Sequence, residues 1–108
     1  MLEPGLDRHE WESRWESLQE DLEDSPRDVL PELELLVSQM LEERGFAVDD
    51  PVASEGEGRE VVADFLSARE TTRLLADDSD AVSPGDVAAA VNSYRAVYEF
   101  LLEEYTAP

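Results

Sequence analysis

Paired carboxylates are the side chains of this sequence that are most capable of chemistry. Glu60 and Asp64 are four positions apart, so in a helix they lie one turn apart on the same face. With Glu16, Glu20 or Glu23 from a facing helix, they could surround Mg²⁺, which prefers oxygen ligands. The spacing therefore predicts a metal site between two helices as one alternative. With 28 acidic residues among 108, such pairs also arise by chance, and a solvated acidic face is the simpler interpretation.

A metal site of this kind would make the protein a metal-dependent carboxylate-bundle enzyme, such as a nucleotide pyrophosphohydrolase. Enzymes of that class use paired acids spaced three apart, whereas Glu60 and Asp64 are spaced four apart. The sequence also offers no cluster of basic residues to bind a phosphate. We keep this enzyme as an alternative. The favoured interpretation contains no catalytic residue, no cofactor and no metal.

Other catalytic arrangements find little support in the sequence. The chain has no cysteine and a single histidine, His9, and a lone surface histidine usually does no more than titrate. Asp77, Asp78 and Asp80 resemble the start of a calcium-binding loop, but the glycine at its sixth position and the glutamate at its twelfth are missing. We expect these three carboxylates to be solvated.

Two tryptophans are candidates for contact with a partner. Trp11, Trp15, Leu18 and Leu22 follow one another at spacings of four, three and four, which is one stripe of a helix. A tryptophan on such a stripe is predicted to anchor either the core or an interface.

The last helical segment carries a third candidate. Its main stripe contains Tyr94, Tyr98 and Tyr105, whose rings are expected to pack while their hydroxyl groups reach the rim. Phe100 falls on nearly the opposite side, and a domain this small cannot easily bury both sides. We therefore predict that a partner or a second protomer covers Phe100. The predicted partner-binding residues are Trp11, Trp15 and Phe100.

The cations are few, and half of them lie on the third and fourth predicted helices. Four of the eight arginines are Arg59, Arg69, Arg73 and Arg95, and we expect them to pair with nearby acids. Arg69 and Arg73 lie one turn apart beside an apolar stripe, so a pocket for an acidic ligand is expected there.

Apolar periodicity predicts the elements that position these side chains. The fold class is all-α, an antiparallel bundle of about four helices joined by connections of roughly 4 to 15 residues. No alternating pattern typical of a strand competes with this prediction. All 108 residues are expected to form one helical domain. The predicted helices are approximately residues 7–22, 26–44, 59–76 and 84–105.

Serine, proline and glycine mark the predicted boundaries. Ser25 and Ser83 each precede a proline, with an aspartate three residues later, which is typical of a capped helix start. Pro31 would remove an interior hydrogen bond, so we expect a kink, or a short turn and then a helix from Pro31. Residues 45–58 contain three glycines and one proline, which predicts a flexible loop.

The charge of the chain limits its partners. The formal net charge is −20, from 28 acidic residues against eight arginines, so nucleic acid and anionic membranes are not expected partners. The acid excess suits a high-salt cytoplasm, where salt screens self-repulsion, and the scarcity of residues with AT-rich codons suggests GC-rich coding. The lack of cysteine, of an export leader and of a long apolar segment favours a cytoplasmic protein.

These observations favour a non-catalytic protein-interaction or regulatory module. Its predicted partner is another protein or a second copy of the chain in a homodimer. One alternative is the metal-dependent enzyme described above. A second is an acidic DNA mimic, but 16 acids lie in residues 1–54 and 12 in the rest, which indicates a general surface property rather than a phosphate-like track.

Overall fold

A computed structural model describes the backbone of residues 4–44 and 57–106, and the side chains of residues 9–44, 60–78 and 80–103. The predicted all-α bundle is confirmed: four helices pack against one another, and a short 3₁₀ helix, Ser79–Ala81, precedes the last of them. The predicted loop at 45–58 falls largely outside the described residues, and the third helix begins at its end. The helices are α1 (Pro4–Asp24), α2 (Pro26–Glu43), α3 (Glu57–Asp77) and α4 (Pro84–Thr106).

Three of these helices begin with a proline. The first helical position suits proline because its N–H would be unpaired there in any case. The first helix was predicted at approximately residues 7–22, and α1 begins three residues earlier, at Pro4.

The two serines predicted as N-caps behave differently. Ser83 Oγ accepts a hydrogen bond of 3.1 Å from the Asp86 amide, and Asp86 Oδ2 accepts one of 3.1 Å from the Ser83 amide, which is a reciprocal capping box. Ser25 occupies the N-cap position of α2 but makes no capping hydrogen bond with its side chain. Its own amide is already bonded to the Asp21 carbonyl at the end of α1, at 2.8 Å.

Pro31 lies inside α2, which runs as a single helix from Pro26 to Glu43. The alternative of a separate turn with a helix starting at Pro31 was therefore wrong. An interior proline costs a helix roughly 3 kcal/mol. The neighbouring Val29, Leu30 and Leu33 are buried, and burying side chains of this size stabilises the helix by about 1.5–3 kcal/mol each. Packing thus outweighs the lost hydrogen bond.

The helices are arranged around a central pair. α2 and α4 contact each other and both outer helices, whereas α1 and α3 do not touch within the described part of the chain. Trp15 of α1 contacts Tyr98, while Gln19, one turn later, contacts Arg95. This reversed order shows that α1 and α4 are antiparallel. The one-residue link through Ser25 likewise makes α2 return along α1.

Most of the core comes from α2 and α4. The most deeply buried large side chains include Tyr94 and Phe65, whose rings meet edge to face with centroids 6.0 Å apart. None of the described helices combines the length and the apolar composition that a membrane span requires. The buried residues predicted on the stripes of α3 and α4 include Val61, Phe65, Ala68, Val87, Val91 and Leu101.

Candidate functional site

The carboxylates proposed as metal ligands are not brought together. Glu60 and Asp64 are exposed on α3, and the acids of α1 lie beyond the central pair of helices. Among the residues whose side chains are described, no three histidine or acidic side chains are close enough to hold a metal ion. The structure therefore offers no facing helix from which Glu16, Glu20 or Glu23 could complete the site.

Trp11 and Trp15 are covered within the chain, with only 7% and 8% of their surfaces exposed. Trp15 stacks on Tyr98 with ring centroids 4.2 Å apart and planes 10° apart. The Arg14 guanidinium lies 5.8 Å from the centre of the Trp11 ring, within the range of a cation–π contact. The two indoles hold α1 against the rest of the bundle, so a partner could reach only their edges.

Phe100 is half-buried and packs against the core. Its position on the far side of the main α4 stripe leaves part of the ring at the surface. Of the tyrosine hydroxyls, Tyr94 departs from the expected rim position because its whole side chain is buried. The side chain of Tyr105 lies outside the described residues.

The arginines join one helix to another. Arg14 donates to Gln39 Oε1 at 2.8 Å, Arg95 donates to Gln19 Oε1 at 3.3 Å, and Arg27 donates to the Val82 carbonyl at 2.6 Å. The prediction that the late arginines pair with acids was wrong for Arg95, which binds a neutral amide. Arg59 lies outside the described side chains.

Arg69 and Arg73 do pair with an acid, and they share it. Glu34 Oε2 on α2 lies 3.6 Å from Arg69 Nε and 3.9 Å from Arg73 Nη2. Arg69 is mostly covered, whereas 61% of the Arg73 side chain is exposed. The shared carboxylate ties α3 to α2 and leaves most of the Arg73 guanidinium facing solvent.

These two arginines belong to a band of six side chains on the solvent side of α3, which we call the outer stripe of α3. The band follows helical spacings of three and four, so its members lie on one face. It lines an open depression of about 520 Å³. Leu74 within it is 45% exposed. The outer stripe consists of Leu66, Arg69, Glu70, Arg73, Leu74 and Asp77.

Under this helix lies a buried pair of hydroxyl groups. Thr72 Oγ1 and the Tyr94 hydroxyl are 2.7 Å apart, and Thr72 Oγ1 also donates to the Ala68 carbonyl at 2.9 Å. A threonine hydroxyl has a single hydrogen, so Tyr94 must be the donor to Thr72. Burial raises the pKa of Tyr94 far above its ordinary value, and the nearby Glu34 carboxylate adds to the effect. Tyr94 therefore stays protonated and holds α4 to α3.

A second concave surface lies where the end of α1 meets the start of α4. Leu22, Pro26, Pro84, Val87 and Val91 form its apolar part, and its volume is about 270 Å³. Because Leu22, Val87 and Val91 are themselves buried core residues, this groove is a seam of the bundle.

Two exposed leucines on the helix surfaces were missed by the sequence analysis. Leu74 lies on α3, and Leu35, on the outer face of α2, is 55% exposed. The sequence did contain a pattern from which the exposure of Leu74 could have been predicted. Leu74 lies outside the apolar stripe that predicts α3, and an apolar side chain outside that stripe must face solvent or a partner.

Comparison of the chain with protein-family models, with curated proteins and with solved structures gave no match.

Proposed function

We propose that this protein is a non-catalytic module that binds another protein through the outer stripe of α3. The observation that supports the proposal most directly is that an exposed leucine, Leu74, lies next to an exposed arginine, Arg73. Each is about half exposed or more, and they are adjacent in the sequence on a depression that a partner could fill. Arginine is enriched at interface centres, and its aliphatic stem beside Leu74 offers a partner apolar surface.

The charge of α3 supports the same surface. The chain carries a net charge of −20, which repels any acidic protein over most of its surface. The outer stripe contains two arginines and two acids, and with the adjacent Glu34 its net charge is only about −1, so it is less acidic than the chain as a whole. A partner can approach this face with less repulsion than the other faces impose.

The proposed binding surface is the outer stripe of α3 rather than the surface around the two tryptophans. Trp11 and Trp15 are covered by the chain itself, so their contribution to binding is to fix α1.

Site-specific photocrosslinking tests the proposal. A photoreactive amino acid in place of Leu74 is expected to give one discrete crosslinked product in the native cells. The same amino acid in place of Ala96, which is exposed on α4, is the matched control and is expected to give none. Equal crosslinking from both positions, or none from Leu74, would contradict the proposal.

A pair of substitutions then tests the surface chemistry. With the photoreactive group moved to Asp77 at the end of the stripe, Leu74→Asp is expected to abolish the product, since it places a charge where a leucine is desolvated on binding. Leu35→Asp makes the same change on the outer face of α2, which is equally exposed, and is expected to leave the product unchanged.

A further inference from the structure

The outer stripe of α3 has a charge order that can pair with itself. Its residues run Leu66, Arg69, Glu70, Arg73, Leu74 and Asp77, so arginines and acids alternate along the stripe. We propose that the partner bound by this stripe is the same stripe of a second copy of the chain, in an antiparallel pair related by a two-fold axis. This inference rests on the proposed function and names its partner.

The charged groups that would form the contact are available. Arg73 is 61% exposed on its side chain, and its contact with Glu34 is long, at 3.9 Å. Glu70 and Asp77 are exposed, and neither has an ion-pair partner among the side chains that the structure describes. The stripe thus presents Arg73, which makes only a long ion pair, and the carboxylates of Glu70 and Asp77, which make none with the described side chains.

Symmetry brings these groups together. When two copies of α3 lie antiparallel with the axis midway between residues 71 and 72, Arg73 faces the partner's Glu70. A two-fold interface repeats each contact, so the same pair forms twice. In this register Leu74 lies against the partner's Arg69, whose aliphatic stem offers apolar surface. The antiparallel arrangement therefore pairs Arg73 with Glu70 and covers the exposed Leu74, while Asp77 lies at each end of the contact, level with the partner's Leu66.

The stripe favours a second copy over an unrelated protein because, read in reverse, it presents Glu70 to Arg73 and the stem of Arg69 to Leu74. The contact is small, since the six residues span roughly 17 Å of helix, below the size of most permanent interfaces. The chain also carries −20, so two copies repel each other at low salt. At about 0.15 M salt the Debye length is roughly 8 Å, so the repulsion between distant charges is reduced while adjacent Arg73 and Glu70 side chains still attract, and association is expected to be strongest near this concentration.

Sedimentation equilibrium with charge-reversal variants tests the inference. At about 0.15 M salt and high protein concentration the full chain is expected to approach twice its mass of 12.1 kDa. Arg73→Glu and Glu70→Arg each replace two attractive pairs by two repulsive ones, so each is expected to weaken association roughly tenfold or more. The double variant carrying both changes restores opposite charges across the axis and is expected to recover the doubled mass.

The controls separate this contact from general charge effects. Glu99→Arg changes the net charge as much as Glu70→Arg does, at an exposed position on α4, and is expected to strengthen association slightly. Circular dichroism of each variant checks that the helices are retained. A variant that loses helicity is replaced by the milder Arg73→Gln and Glu70→Gln, which are each expected to weaken association.

Three results would overturn the inference: a monomer at every salt and protein concentration, a dimer that neither single variant weakens, or a double variant that fails to recover. A monomer combined with a crosslink from Leu74 to a different protein would remove self-association and leave the proposed function standing. A monomer with no crosslink from Leu74 would remove both.

Discussion

The α1–α2 hairpin turns through one residue, Ser25, whereas the α3–α4 hairpin turns through residues 78–83. Both second helices start with Ser-Pro-x-Asp. In the longer connection the Ser83 amide is free to bond Asp86, and the capping box closes. In the shorter one the Ser25 amide is committed to the end of α1. The Asp28 amide is also committed, to the Ser25 backbone carbonyl at 3.1 Å, so the same four-residue pattern gives a capping box only where both amides are available to the side chains.

The central helix α4 is attached to α3 and to α1 by different kinds of contact. Tyr94 donates a buried hydrogen bond to Thr72 within the α3–α4 hairpin, while Tyr98, one turn later, stacks on Trp15 of the other hairpin. One attachment is polar and directional, and the other is a stacked aromatic contact. We expect the two attachments to respond differently to substitution and to pH.

The largest effect is expected from Trp15→Ala, which removes the stacked contact between the hairpins. Truncating a buried tryptophan costs about 3–5 kcal/mol, so the free energy of unfolding should fall by that amount in a urea titration. Amide exchange should rise first in α1, because Trp15 is one of its few buried side chains.

Ser17→Ala is the control for this change, because Ser17 is exposed on the same helix and surface substitutions usually alter stability by less than about 0.5 kcal/mol. Exchange that rises equally in all four helices after Trp15→Ala would show that α1 and the α3–α4 hairpin unfold as one unit.

The polar attachment should show an asymmetry between its two partners. Thr72→Val leaves the buried Tyr94 hydroxyl without an acceptor, which costs about 1–3 kcal/mol. Tyr94→Phe removes the donor while Thr72 keeps its bond to the Ala68 carbonyl, so the expected loss is smaller, at about 0.5–1.5 kcal/mol. Urea unfolding of both variants measures the difference, and equal losses would contradict the assigned donor direction.

The sequence predicted each helix well because burial of one face requires apolar side chains at helical spacing. Tyr94 and Phe65 were placed on buried stripes for that reason and are buried. Periodicity defines the buried face of a helix but not the helix that covers it. The pairing of Glu60 and Asp64 with acids of α1 required α1 to face α3, and the central pair of helices separates them.

The candidate surface was only partly predictable. Arg69 and Arg73 were singled out because they lie one turn apart beside the stripe, and the depression lies there. Glu34 could not be assigned to them, since that pairing depends on how α2 crosses α3. The tryptophans illustrate the opposite problem: a stripe of tryptophan and leucine has the same spacing in a core as at an interface.

Alkaline pH should weaken the polar attachment. The pKa of Tyr94 is raised in the folded state, whereas an unfolded tyrosine titrates near 10. The unfolded state therefore loses this proton first, so the stabilisation is full below pH of about 10 and falls above it by at most roughly 1.4 kcal/mol per pH unit. Urea unfolding between pH 9 and 11 should show this slope, and Tyr94→Phe should reduce it. An unchanged slope in that variant would assign the effect to other groups.

The smallest expected effect concerns the N-terminal capping of α2 and α4. Ser83→Ala removes the acceptor for the Asp86 amide and half of the capping box, so it should cost about 1 kcal/mol. Ser25→Ala removes a hydroxyl that makes no capping bond, so its cost should be a few tenths of a kcal/mol at most. Both changes leave the following proline and aspartate in place, which makes each the control of the other in thermal and urea unfolding. Equal costs would mean that the Ser25 side chain caps α2 in solution, and the contrast between the tight and the long connection would then no longer hold.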